Sequence, residues 1–263
     1  MIFDAWLDLP VWGIFGSVAA LFGLSAFLIY WLSFGKPCRA FAASFVGVVA
    51  PFFGSVAVLF ALLTGFLAND VWERNRQAAR TVLLEEDELL TLYAVSIAAT
   101  SDTKEIRATA QRYAELLVSD EWPRMRHQDY SAAAGQVLLE LLGKIANPAI
   151  ANEAGPATQR VLLDAGLRLR SARDDRLALT GNNTDRTKWA AVVILALITQ
   201  VAIAVVHLER PRAQIAALAI FSVAVITSLG LIAMRERPFG GAIQVSSEPI
   251  EEALQVYTGR MAP

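Results

Sequence analysis

Cysteine and histidine are nearly missing from this 263-residue sequence, which holds one cysteine, Cys38, and two histidines, His127 and His207. A single cysteine excludes an intramolecular disulfide and a cysteine-rich zinc site. Two histidines far apart in the chain leave a histidine-based metal centre or triad without visible partners, which argues against hydrolytic or metal-dependent catalysis. An excess of one charge is lacking too: the formal net charge is −2, with no basic surplus to suit nucleic acid. We therefore expect no enzyme activity, no metal, no cofactor and no nucleic-acid partner. Basic residues are absent from the extreme N-terminus, which carries Asp4 and Asp8 instead. The apolar run after Pro10 is also longer than a signal-peptide core, so it reads as a retained membrane helix.

Apolar side chains are abundant. They make up 55% of the sequence, against about 45–50% in soluble domains, and the surplus is local. Four segments, at about Val11–Leu32, Phe41–Ala68, Trp189–Val206 and Ile215–Met234, contain no Asp, Glu, Lys, Arg or His. A bilayer core of about 30 Å takes about 20 helical residues. The second segment overshoots that by roughly 10 Å, so it tilts, kinks near Pro51 or projects beyond the lipid. The turns "SFGKPCR" and "HLERPRAQ" each carry a proline that ends a helix. The expected organisation is a first transmembrane hairpin over 1–68, a helical domain over 69–188, a second hairpin over 189–234 and a tail over 235–263.

The middle region shows helical spacing: Leu83/Leu84, Leu89/Leu90, Leu92/Tyr93, then Tyr113/Leu116/Leu117, Val137/Leu138/Leu141/Leu142 and Val161/Leu162/Ala165/Leu169. Breakers at "ATSDT", "SDEWP", "IANPAIANEAGP" and "TGNNTD" divide it, and Asp102 and Asp185 suit helix N-caps. Neither strand alternation nor a repeat of 20–50 residues is present. The fold class expected is an all-α membrane protein, with the helical domain continuous with the second and third spans. In the tail, Pro238 and Gly240–Gly241 break the helix. A short extended piece and a helix from about Pro249 to Tyr257, with Ser247 as N-cap, follow. That tail clips onto the helical bundle or a neighbouring subunit, or hangs loosely.

Orientation follows from basic residues flanking the spans. The tight turns hold Lys36, Arg39, Arg210 and Arg212, whereas the opposite side holds Arg74, Arg76, Arg80, Arg186, Lys188, Arg235 and Arg237. Seven against four favours a cytoplasmic helical domain with both termini inside.

Two patterns on the second span carry functional interest. Gly54, Ala57, Ala61 and Gly65 form a stripe of small residues that would let another helix approach. Beside it Val58, Leu62, Phe66 and Asp70 recur every four residues and share a face. Several copies pointing that row at a common axis would stack three apolar rings above a ring of carboxylates, and such rings gate and tune ion passage. Lipid-facing or core packing produces the same periodicity, and both readings stay open. At the seam "GFLANDVWERNRQAART", Asn69 lies beside Asp70. Trp72 reads as an interfacial anchor, and Asp70 and Glu73 as partners for Arg74 or Arg76. The acidic run Glu85–Glu88 lacks the spaced oxygen ligands and glycine of a calcium loop and reads as a solvated helix face. Arg168, Arg170, Arg173 and Arg176 read as a solvated basic face with i,i+4 partners, or as an attraction for lipid headgroups.

The segments "GFLANDVWERNRQA", "DEWPRM" at 120–125 and "RERPFGG" at 235–241 together resemble the bacterial bestrophin-like integral membrane family. The resemblance covers nearly the whole chain. More remotely it extends to true bestrophins, which are pentameric anion channels with cytoplasmic termini and a cytoplasmic domain between spans two and three. Their second helix lines a narrow apolar neck and ends in an Asn/Tyr/Arg/Trp-rich cluster. Phe66, Asn69, Trp72, Glu73 and Arg74 fall near that pattern, which makes Val58, Leu62 and Phe66 neck candidates. Two departures stand out: Asp70 puts negative charge at the mouth, and the acidic calcium clasp of animal bestrophins is not evident in the tail. The resemblance implies a homo-oligomeric, pentameric channel for inorganic ions, embedded in the lipid bilayer. A non-conducting signalling or scaffold protein, whose helical domain binds a partner, is the alternative.

Overall fold

The computed structural model describes residues 2–35, 50–98, 103–181 and 185–260. Lys36, Cys38, Arg39 and Asp102 lie outside the described residues, as does the start of the expected second span. Every regular element among the described residues is helical. Among the described residues four helices are long and apolar enough to cross a membrane.

The chain divides into two compact units. The first comprises Met1–Glu73 and Asn183–Glu236. It contains the short α1 (Ile2–Leu7), α2 (Val11–Phe34), the first half of α3 (Ala50–Ala98), α9 (Arg186–Val206) and α10 (Pro211–Ala233). Proline opens two of these helices: Pro10 caps α2 and Pro211 starts α10, where a missing N–H is harmless. Asp185 caps α9 as expected, accepting from the Thr187 N–H at 2.9 Å. The α9 and α10 helices are joined by residues 207–210 and pack on each other and on α2. Ile14, Val18 and Phe22 of α2, Leu67 and Val71 of α3, Trp189, Val192 and Ala196 of α9, and Val225 and Leu229 of α10 form the core. Gly230 is required there: a Cβ at this position would lie 2.3 Å from the Phe15 ring.

The α3 helix does not stop at the apolar segment's end. Its 49 residues measure about 74 Å along the axis at 1.5 Å per residue, more than twice a bilayer core. No propensity break falls at the seam, because "NDVWERNRQAARTVLLEEDELL" contains neither proline nor glycine.

The second unit comprises Arg74–Asn182 and Arg237–Pro263. It holds the rest of α3, α4 (Lys104–Leu116), α5 (Trp122–Met125), α6 (Ala132–Ala146), α7 (Pro148–Ala154), α8 (Pro156–Gly181) and α11 (Glu248–Tyr257). Ser131 caps α6 by accepting from the Ala134 N–H, and Asn147 caps α7 by accepting from the Ala149 N–H. Gly155 takes φ 90° between α7 and α8, a conformation that suits glycine. "SDEWP" is not a breaker: a π-helical stretch, Leu117–Glu121, carries the chain from α4 straight into α5. Pro123, which has no N–H to donate, sits directly after that stretch in the first turn of α5.

Two charged segments depart from the solvated faces expected of them. Glu85 and Glu88 are buried, as are Arg173 and Arg176. Arg168 and Arg170 do stay outside, paired at i,i+4 with Asp164 and Asp174. The reason is phase. Glu85 and Glu88 fall on the stripe Ala78, Val82, Leu89, Leu92, and Arg173 and Arg176 fall on Leu162, Ala165, Leu169, Thr180. The tail folds back onto its own unit: Ile250 and Ala253 enter the core, and the Tyr257 hydroxyl donates to the Leu89 carbonyl at 2.7 Å. Ser247 stands at the N-cap of α11, but its hydroxyl bonds to the Glu251 carboxylate rather than to a backbone N–H.

Candidate functional site

The α3 helix presents two contrasting faces in the first unit. Phe60, Leu63, Leu67 and Val71 turn toward α9 and α10, with the Phe60 and Phe221 rings 5.6 Å apart in an edge contact. On another face Val58, Leu62 and Phe66 remain 66%, 51% and 56% exposed. These three apolar side chains are therefore left uncovered by the described part of their own chain, and Asn69 continues the open surface. Of the small residues, Gly54 and Gly65 have nothing within 4 Å of where a Cβ would stand, Ala57 is half-buried and Ala61 is exposed.

At the seam Asp70 pairs differently from the sequence expectation. Asp70 does not take Arg74 or Arg76; its Oδ2 makes a close ion pair with Lys188 Nζ at the start of α9. Immediately beside Lys188, the Arg186 guanidinium donates to Asp4 Oδ2 at 2.8 Å. Trp72 meets Arg235, whose guanidinium carbon lies 5.9 Å from the ring centroid, close enough for a cation–π contact. Glu236, next along the "RERPFGG" segment, is buried and accepts from Trp189 Nε1 at 3.1 Å. Lys188, Arg235 and Glu236 are thus part of the seam although their positions lie far along the chain.

A polar hub sits within the apolar core of this unit. Gln200 of α9 donates to the Phe22 carbonyl at 3.1 Å and to Ser222 Oγ at 2.9 Å, and it accepts from Ser25 Oγ. It ties α2, α9 and α10 together with every amide atom engaged. A separate apolar groove of about 550 Å³, lined by Phe3, Trp6, Val18, Phe22, Trp189 and Val193 among others, contains none of the candidate residues.

The second unit has its own buried ionic cluster. Arg176 Nε donates to Glu85 Oε2 at 2.7 Å, and its Nη2 donates to Glu121 Oε1 at 2.7 Å. Arg173 reaches the same Glu121 through Nη2 at 2.5 Å and also donates to the Ser131 carbonyl. The Tyr113 hydroxyl donates to Glu85 Oε1 at 2.6 Å. Burial, then the nearby Glu85 charge, push the Tyr113 phenol well above its ordinary range, so it stays a donor. Burial works against the charge on Arg176, but Glu85 and then Glu121 more than offset it and hold the guanidinium protonated. Two guanidinium groups balance two carboxylates, so the cluster is neutral. Its order is that of a structural clamp, and it offers no free nucleophile or base.

A family model for the bestrophin-like domain matches residues 19–250. The chain belongs to the bestrophin-like family. Its fold is that of solved bestrophin homologues. A bacterial bestrophin homologue from Klebsiella pneumoniae aligns at TM-score 0.66 and 16% identity, covering 90% of this chain and 98% of that one. A variant of that homologue aligns at TM-score 0.67 and 16% identity, over 92% and 98%. A crystal structure described as a membrane protein aligns at TM-score 0.69 and 15% identity, over 93% and 98%. A comparison with curated proteins returns no significant match. As a bestrophin-like membrane protein with long apolar helices, the chain contacts lipid.

Proposed function

We propose that this bestrophin-like chain assembles into a homo-oligomeric ion channel in the bacterial inner membrane. The α3 helix of each copy lines the pore. Val58, Leu62 and Phe66 form the apolar neck, and Asn69 and Asp70 lie at its inner mouth. The stripe Gly54/Ala57/Ala61/Gly65 packs against a helix of a neighbouring copy. The Arg74–Asn182 unit and both termini are cytoplasmic, and five copies are the number that the family resemblance implies. Trp72, Glu73, Arg74 and Arg76 serve as the junction that fixes α3 where it leaves the membrane.

One observation carries this reading. A row of three large apolar residues on a spanning helix is exposed in the chain itself, while on the other side Leu67 and Val71 are buried and Phe60 and Leu63 partly so. Apolar rings of that kind gate by dewetting and need no charged filter. Ion flux into liposomes holding the purified protein tests it. We expect flux above protein-free vesicles. Absence of flux, from protein shown to be oligomeric, favours a non-conducting scaffold.

A further inference from the structure

Asp70 and Lys188 stand on different helices, separated by 118 positions, and meet as a close ion pair at the seam. Both side chains remain in part accessible, Asp70 at 34% and Lys188 at 52%. A bare carboxylate in every copy would surround the mouth with negative charge. A carboxylate with an ammonium against it presents a dipole instead, and the field of a dipole falls off much faster with distance. A second ion pair at the start of α9 joins Arg186 to Asp4.

We propose that Lys188 tunes ion selectivity at the inner mouth by cancelling the charge of Asp70. This rests on the pore assignment above. Removing one member of the pair unmasks the other. Lys188→Gln exposes the carboxylates and draws the mouth toward cations; Asp70→Asn exposes the ammonium groups and draws it toward anions. Like charges repeated around a mouth act together and are screened over about 8 Å at physiological salt. The expected change in the cation-to-anion permeability ratio is roughly three- to tenfold at low ionic strength, shrinking as salt rises.

Reversal potentials under a salt gradient, recorded for wild type, Lys188→Gln, Asp70→Asn and the double variant, test this. The single variants shift in opposite directions, and the double variant returns close to wild type. A merely structural ion pair cannot give that pattern, because both single losses would disturb the mouth in the same sense. If current flows but the single variants shift together, or neither shifts, the selectivity assignment is overturned while the channel stands. If no variant carries current, the channel reading falls and this assignment falls with it.

Discussion

Arg176 and Glu85 face each other with both side chains fully withdrawn from solvent, joined by Nε to Oε2 at 2.7 Å. They belong to α8 and to the far half of α3, so the pair clamps the long helix into the second unit's bundle. The Trp122 ring covers the guanidinium at 5.4 Å, and Glu121 completes its bonding from the π-helical stretch. A buried pair of this kind adds little net stability over apolar residues of the same shape, but breaking it is expensive.

Arg176→Met should therefore destabilise the protein by about 3–5 kcal/mol, because Glu85 is left buried without its guanidinium. Thermal unfolding in detergent reads this out. Adding Glu85→Leu to the same chain should recover only part of the loss, since the buried Tyr113 hydroxyl then lacks its acceptor. A single variant as stable as wild type would show that the cluster is hydrated and not buried.

Gln200 should matter modestly. Gln200→Leu frees the Phe22 carbonyl and Ser222 from an amide they share within the membrane core. Bonds of this type average about 0.6 kcal/mol and reach about 1.7 kcal/mol in bilayers. The same melting assay should show a small downward shift. A rise in stability would indicate that the hub is held for function at the expense of packing.

Ala61→Leu tests the small stripe. The Ala61 side is open in the chain itself, so the substitution should leave the isolated subunit intact. Overfilling an intersubunit contact should weaken assembly by about 1–3 kcal/mol, seen as a fall in the mass of the detergent-solubilised particle. An unchanged mass and dissociation profile would place this face against lipid.

Topology is checked by cysteine labelling in a chain whose Cys38 is replaced by serine. Thr103 is a poor site, being buried with its hydroxyl bonded to the Ser96 carbonyl. Glu105, two residues on, is exposed. Glu105→Cys should react with membrane-impermeant reagents only after the membrane is opened. Labelling of intact cells from outside would reverse the orientation.

The all-helical class and the four spanning segments were legible because apolar length and the 3.6-residue period are properties of single stretches of chain. Asp185 as an N-cap was legible for the same local reason. Misreadings fell where partners are distant. Glu85 and Arg176 look like surface charges when each is weighed by type. Their phase with Val82, Leu89 and Leu169 is the signal that they turn inward. Asp70 was matched to near neighbours in sequence, but its cation arrives on α9. The π-helical passage through "SDEWP" ends on Glu121, which Arg173 and Arg176 hold from α8, a long-range arrangement that no local propensity encodes. Gln200 was hidden inside an apolar segment, although it too falls in register with the buried positions Val192, Ala196 and Ile203.

The central claim is that α3 lines an ion pathway whose narrow part is Phe66 with its neighbours on the same face. Single-channel recording of purified oligomer in planar bilayers, wild type against Phe66→Ala, tests it most directly. Both should give unitary currents, with a larger conductance or a steady leak in Phe66→Ala because the apolar neck is widened. Currents of identical conductance would remove Phe66 from the pathway, and silence from both oligomers would contradict the account outright.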